Sequence, residues 1–144
     1  MNVYVDTGIL AKLYTHESNS PQAIQLVSQF NPPFPLTHFQ ELELRTALRL
    51  KFFRQEMDAA DLRWSLGNLS RDIHEERWQR PQYELARVHD GAEALSEQHA
   101  ALIGCRTLDI LHVAAAKVLG VSDFLTYDTR QAELARLAGL KIWP

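Results

Sequence analysis

The sequence predicts an α/β fold, a three-layer α/β/α arrangement in which helices flank a small parallel sheet. Short β-prone runs stand near both ends of the chain, at residues 3–5, 123–127 and 141–143, and most of the chain between them has apolar side chains at helical spacing. Strands that alternate with helices favour a parallel sheet covered by helices. A length of 144 residues fits one compact domain, so we expect a single domain over residues 1–144.

The elements are predicted in order along the chain. A strand at 3–5 precedes helices at 9–14 and 21–30, a brief strand at 36–37, helices at 39–54, 58–76, 82–103 and 107–119, a strand at 123–127, a helix at 129–138 and a strand at 141–143. Three prolines between positions 31 and 35, and Pro81, interrupt the helical pattern. Thr107 is the predicted N-cap of its helix, and Gly139 the predicted C-cap of the last one.

Composition limits the possible function. No stretch has the roughly 18–20 apolar residues of a membrane span, and the N-terminal sequence does not resemble a signal peptide. Cys105 is the single cysteine, so disulfides do not hold the fold together. These features favour a cytoplasmic protein. The formal charge of −3 disfavours broad binding to nucleic acid, so such a contact needs a local basic patch or a metal ion.

Two aspartates follow predicted strands directly or closely. Asp6 ends the first strand, and Asp128 follows the strand that contains Thr126. In open parallel sheets, ligands bind beyond the carboxyl ends of the strands. A structural role stays open for both: Asp6 can cap a helix or form a turn, and Asp128 with Gln131 has the spacing of a capping box.

The helix at 39–54 contains two glutamates of different expected roles. Glu41, Arg45 and Arg49 are four residues apart, so Glu41 has an intrahelical partner and is expected at the surface. No Lys or Arg stands three or four residues from Glu43. Glu43 is therefore the better candidate for a functional site.

Asp109 lies in the first turn of a strongly apolar helix. The favourable interaction of an acid with the helix N-terminus is one explanation for it. A helix rich in Leu, Ile, Val and Ala is expected to be buried, however, and a buried carboxylate needs a partner or a metal. His112 is three residues further on and could face the same crevice, although a packed or supporting role is favoured over metal ligation.

Several carboxylates in one crevice raise each other's pKa, a cost that a divalent cation removes. Oxygen ligands suit Mg²⁺ or Mn²⁺, and neither the single cysteine nor the scattered histidines have the spacing of a zinc site.

Four segments in order, VYVDTGILAKLYTHE, ELRTAL, RTLDILHVAAAKVLG and FLTYDTRQAELARLAGLKI, resemble PIN-domain ribonucleases, in particular VapC-like toxins of type II toxin–antitoxin systems. The resemblance covers nearly the whole chain and is weakest over residues 55–100. It implies a carboxylate quartet that binds Mg²⁺ or Mn²⁺, here Asp6, Glu43, Asp109 and Asp128. Thr126 matches a hydroxyl residue that is common two positions before the last aspartate. Gly8 departs from the Ser or Thr that is common near the site.

The activity that this resemblance implies is metal-assisted cleavage of structured RNA, such as tRNA or rRNA. Asp6 and Asp109 are expected to bind the metal directly, whereas Glu43 and Asp128 can bind it, hold water or help to deprotonate the nucleophile. Positive side chains would meet the RNA backbone, and solvated surface charge is the alternative for each of them. The candidates are Lys12, Arg45, Arg49, Lys51, Arg54 and Arg106.

Other enzyme classes fit less well. The triplet Asp6-Thr7-Gly8 occurs in aspartic proteases, but those enzymes are all-β and this chain is mainly helical. A haloacid-dehalogenase-like phosphatase would need an acid at Gly8, and no GxxxxGK[ST] loop for an NTPase is present. The remaining alternative is a non-catalytic PIN-like module that binds RNA or protein.

The resemblance also implies a small antitoxin partner, and a homodimer is expected. Two predicted helices carry more bulky apolar residues than one core stripe requires, and left-over apolar patches mark interfaces. Packing of the two helices against each other is the alternative. The residues concerned are Leu50, Phe52, Phe53, Leu62, Trp64, Leu66 and Leu69.

Overall fold

The computed structural model describes residues 2–144, which group into two compact units. The first, called the sheet unit, consists of residues 2–6 and Pro81–Pro144. The second, called the helical unit, is Thr7–Arg80. The expectation of a single domain over residues 1–144 stays a prediction.

Short strands alternate with helices along both units. The strands are β1 (Val3–Val5), β2 (Phe34–Pro35), β3 (Trp78–Gln79), β4 (Asp123–Leu125) and β5 (Lys141–Trp143). The helices are α1 (Thr7–Leu13), α2 (Ser20–Val27), α3 (His38–Phe53), α4 (Ala59–His74), α5 (Leu85–Leu95), α6 (Ala101–Ile103), α7 (Thr107–Leu119) and α8 (Thr129–Leu137). All strand pairs among the described residues are parallel, which confirms the predicted α/β fold with a small parallel sheet and flanking helices.

The sheet unit contains a three-stranded sheet in the order β1-β4-β5. Tyr4 of β1 pairs in register with Phe124 of β4, and their rings stack with centroids 5.3 Å apart. The Tyr4 hydroxyl lies 2.9 Å from Nδ1 of His112 on α7, so this helix covers that face of the sheet. The central strand β4 thus places its carboxyl end beside that of β1.

The helical unit has its own buried centre. Tyr14 donates a hydrogen bond of 2.6 Å to Asp72 Oδ2 and accepts one of 2.6 Å from Trp78 Nε1. Burial and the neighbouring Asp72 carboxylate raise the pKa of the Tyr14 hydroxyl far above its usual range. Its neutral phenol therefore links the residue that follows α1 to α4 and β3.

One predicted strand is displaced. The sequence predicts it at residues 36–37, whereas the structure places β2 at Phe34–Pro35, paired with β3, which was not predicted. Phe34 N and Leu36 N donate to Arg77 O and Gln79 O, so Pro35 falls at a position that needs no donor. Thr37 instead caps α3.

The predicted helix at 82–103 is shorter and interrupted. It consists of α5, a π-helical turn at Ser96–Ala100 and α6, and Gly104 ends it with φ +76°.

The predicted N-cap of α7 was also wrong by one residue, because Thr107 is already helical and Arg106 occupies the cap position. Gly139 has φ +87° just after α8, as its predicted role requires. Within residues 2–144, no helix is long and apolar enough to span a membrane.

Candidate active site

The carboxyl ends of β1 and β4 bring two predicted site residues together. Asp6 N donates to Leu125 O at 2.9 Å, which continues the parallel ladder one residue beyond β1. Thr126 follows Leu125, and its hydroxyl oxygen lies 3.3 Å from Asp6 Oδ2. Thr126 is buried and Asp6 is half-buried. These two side chains thus lie at the edge of the sheet where parallel folds bind ligands.

Thr126 also contacts the start of α8. Its oxygen accepts from Asp128 N at 3.0 Å, and its hydroxyl donates to Gln131 Oε1 at 2.8 Å. Asp128 caps the helix because its Oδ1 accepts from Gln131 N at 2.8 Å. Only this half of the expected capping box forms, since the Gln131 side chain bonds Thr126 and not the Asp128 backbone. Asp128 itself is exposed, as a dual role in capping and binding requires.

Asp109 lies in the first turn of α7 in the same unit. Its Oδ2 accepts from Arg106 N at 3.3 Å and from Arg106 Nε at 3.4 Å. The Arg106 side chain is 83% exposed, so this ion pair can open easily when another cation competes for the carboxylate. The middle of α7 is buried as predicted, at Ile110 and from His112 to Ala116, whereas Leu108 is exposed and Asp109 is half-buried.

The pKa of the Cys105 thiol responds to the charges of Asp109 and Asp128. Partial burial raises the pKa of its thiol, and the negative charges of Asp109 and Asp128 raise it further, against the opposing effect of Arg130. Both carboxylates therefore act on one common region. The same effect keeps Cys105 protonated and unsuited to act as a nucleophile.

His112 is fully buried on α7 and lies against Tyr4. The packed role that the sequence favoured over metal ligation agrees with this position. A change at His112 would act on the packing between α7 and the sheet.

In the helical unit, α3 carries both candidate glutamates. Glu41 Oε1 accepts from Arg45 Nε at 3.0 Å, and Glu41 Oε2 lies 2.7 Å from Arg80 Nη2. The predicted pair with Arg45 is confirmed, but the expectation that Glu41 is a surface residue was wrong, because Arg80 covers it. Partial burial opposes ionisation, yet the bonds from Arg80 and Arg45 lower the pKa of Glu41 below its usual value. Glu43 is half-buried on the same helix and stays the candidate for the site.

The basic side chains suggested for RNA contact have different surroundings. Arg45 and Arg106 are held by Glu41 and Asp109, and Lys51 pairs with Glu17 at 2.7 Å. Three further candidates differ in exposure: Lys12 is half-buried, while Arg49 and Arg54 are exposed.

The oxygen donors of these side chains suit a hard divalent cation, but they do not form a preformed cage around one. Among residues 2–144, no group of three or more His, Cys, Asp or Glu side chains is close enough together to hold a metal ion. Mg²⁺ commonly uses one or two carboxylates and keeps several waters, so a site of this kind does not require a cluster of three carboxylates. Convergence of Asp6, Glu43, Asp109 and Asp128 on one ion stays a prediction.

Sequence reasoning did not identify Gln131, Arg130 or Arg80 as contributors. Gln131 was assigned to a capping box on spacing alone, and nothing in the sequence shows that its side chain turns inward. Arg130 lies near Cys105, and Arg80 is 39 positions from Glu41 in the chain. Contacts of this kind depend on the fold and have no local pattern.

Comparison of the sequence with protein-family models and with curated proteins finds no match. The structure is similar to VapC20 of Mycobacterium tuberculosis, a toxin that cleaves the sarcin–ricin loop, with a TM-score of 0.69 and 14% identity over 99% of this chain and 100% of that one. It is also similar to a chain in a toxin–antitoxin complex from Klebsiella pneumoniae, with a TM-score of 0.63 and 14% identity over 100% of this chain and 97% of that one. The protein therefore has the fold of a VapC-like toxin.

Proposed function

We propose that this protein is a Mg²⁺- or Mn²⁺-dependent endoribonuclease and the toxin of a toxin–antitoxin pair. The observation that carries the proposal is the match of its backbone, along 99% of the chain, to a toxin that cleaves the sarcin–ricin loop. The placement of Asp6 beside Thr126 at the carboxyl end of the sheet supports it further. Structured RNA, either rRNA or tRNA, is the proposed substrate, and the cytoplasm is the proposed location.

The proposed reaction is hydrolysis of a phosphodiester bond. When bound, the divalent cation would supply positive charge for the scissile phosphate and the leaving oxygen. Asp6 and Asp109 would hold it, because their carboxylates are half-buried in the same unit. A water oxygen forms a bond to phosphorus while the bond to the leaving oxygen breaks, and that oxygen takes up a proton. Asp128 and Glu43 are the proposed groups to orient the water or accept its proton.

Binding of the RNA backbone requires local positive charge on an overall acidic protein. Within the sheet unit, Arg106 pairs with Asp109 and the charge of Arg130 acts on Cys105, and both arginines are exposed. An RNA phosphate could replace Asp109 as the partner of Arg106, which would release the carboxylate for the cation.

Mapping of RNA 5′ ends after induced expression tests the proposed activity and identifies the target together. The proposal predicts new 5′ ends at one or a few positions in rRNA or tRNA, with the Asp6→Asn variant as the matched control. A map identical to that of uninduced cells would contradict the proposal. It would favour the alternative of a non-catalytic module that binds RNA or protein.

An antitoxin and a second copy of the chain are the proposed partners. Helices α3 and α4 leave four of the predicted apolar residues exposed: Leu50, Phe52, Phe53 and Trp64. Of the other three, Leu69 is fully buried, and Leu62 and Leu66 are half-buried. Phe52 and Phe53 line an open cavity of about 540 Å³. An amphipathic helix of the antitoxin would bury these residues. An Arg or Lys of the antitoxin is proposed to compensate the charge of the acidic site. Self-association would use a two-fold patch.

A further inference from the structure

The hydroxyl group of Thr126 has more potential partners than protons. It can donate one hydrogen bond and accept two. Three polar atoms surround it: Asp128 N at 3.0 Å, Gln131 Oε1 at 2.8 Å and Asp6 Oδ2 at 3.3 Å. The Asp128 N–H can only donate, so the single hydroxyl proton goes either to Gln131 or to Asp6.

The orientation of the Gln131 amide decides between them. Gln131 is fully buried, and its Nε2 donates to the backbone carbonyl of Asp109 at 3.4 Å. A carbonyl oxygen can only accept, so the amide nitrogen has to point toward Asp109 and the amide oxygen toward Thr126. The shorter distance, 2.8 Å against 3.3 Å, also favours Gln131 as the acceptor.

We propose that Gln131 is a positioning residue: its Oε1 accepts the hydrogen bond of the Thr126 hydroxyl, so that the oxygen of Thr126, and not its hydrogen, faces Asp6. Without that acceptor, the hydroxyl would donate its hydrogen bond to Asp6 Oδ2 and partly offset the negative charge of the carboxylate. With it, the Asp6–Thr126 edge presents two electron-rich oxygens, which attract a divalent cation. This inference rests on the proposed function, because it assumes that Asp6 binds the metal.

The test is the affinity for Mn²⁺ alone, measured by calorimetry or by the electron paramagnetic resonance of free Mn²⁺. Gln131→Met keeps the length of the side chain and removes the strong acceptor, and Gln131→Leu is a second variant with the same loss. Each is expected to weaken Mn²⁺ binding about tenfold, the size usual for residues that orient a metal ligand. The same Gln131 changes in a Thr126→Val background should cost nothing further, because no hydroxyl proton is left to redirect.

Leu134→Ala, at another fully buried position of α8, is the control for general destabilisation. It should lower the melting temperature and leave the Mn²⁺ affinity of the folded protein unchanged. Equal losses from the Gln131 changes with and without Thr126→Val would overturn the inference, and so would unchanged affinity in both Gln131 variants. If the wild-type protein binds no Mn²⁺, the proposed metal site itself fails and the inference with it, an outcome that the wild-type titration alone distinguishes.

Discussion

At the scale of single residues, the partners of a carboxylate determine whether it can serve chemistry. Both oxygens of Glu41 are occupied by arginines, one of them from outside its own helix. Asp6 lies at the edge of the sheet, with the hydroxyl oxygen of Thr126 3.3 Å from its Oδ2. The ion pairs assign Glu41 to stability and leave Glu43 as the candidate glutamate of α3.

Glu41→Gln is therefore expected to lower the free energy of unfolding at pH 7 by about 1–2 kcal/mol, a reduced value because the arginines are partly solvated. The pKa of Glu41 is lower in the folded protein than in the unfolded chain. Its contribution is thus complete above the unfolded pKa and is lost as the pH falls through the folded one. In denaturant unfolding, the difference between the two proteins should begin to shrink as the pH falls through the unfolded pKa of about 4.3 and should vanish below the folded pKa.

Glu133→Gln is the matched control, because Glu133 forms an exposed pair with Arg136. It should leave stability nearly unchanged at every pH. If both substitutions had the same effect, the two arginines would not give Glu41 any special role.

Residue-scale prediction from the sequence succeeded where the signal was local. The spacing of Glu41 and Arg45 identified their pair, and the position of Asp6 after a strand placed it at the edge of the sheet. The second partner of Glu41 and the inward turn of Gln131 depend on residues that only the fold brings near. No local pattern could have indicated them.

At the scale of secondary structure elements, caps fix where the site-bearing helices begin. Thr37 is fully buried, accepts from Gln40 N and donates to Gln40 Oε1, while Thr37 N donates to that same oxygen. This capping box starts α3, which carries Glu43. The sequence assigned Thr37 to a strand because threonine is common both in strands and at helix N-caps. The pairing of β2 with β3 also has no local signature in the sequence.

Thr37→Ala should lower the free energy of unfolding by about 1 kcal/mol, since it removes the acceptor of the first turn of α3. Thr46→Ala, at an exposed position of the same helix, should change it by less than about 0.5 kcal/mol. Chemical denaturation measures both. A cost for Thr46→Ala as large as that for Thr37→Ala would show that the cap has no particular importance.

At the scale of the whole molecule, the alternation of strands with helices and the parallel pairing of β1, β4 and β5 were predictable from one pattern, whereas β3 was not. The interruption of the predicted 82–103 helix by a π-helical turn was not predictable, since its residues continue the helical pattern.

Exposed apolar side chains on α3 and α4 have no evident function within the helical unit, which favours a partner.

Light scattering on the purified chain, alone and with a co-expressed antitoxin, should detect a dimer and a larger complex. Phe53→Ser and Trp64→Ser should weaken antitoxin binding at least about 30-fold, as loss of a central aromatic contact does. Leu102→Ser, an 86% exposed leucine outside α3 and α4, is the control and should bind normally. A strict monomer at micromolar concentration whose activity no neighbouring gene product suppresses would contradict both proposed partners.

The most direct test of the central claim is cleavage of purified rRNA and tRNA by the purified protein, with and without Mg²⁺ or Mn²⁺. We predict cleavage at defined positions that stops when a chelator removes the cation. Asp6→Asn and Asp109→Asn should keep the fold and lose more than about 100-fold of the activity, since they remove charge from direct ligands. Glu41→Gln should retain activity per folded molecule. Cleavage that persists in the chelator, or in both aspartate variants, would contradict the account.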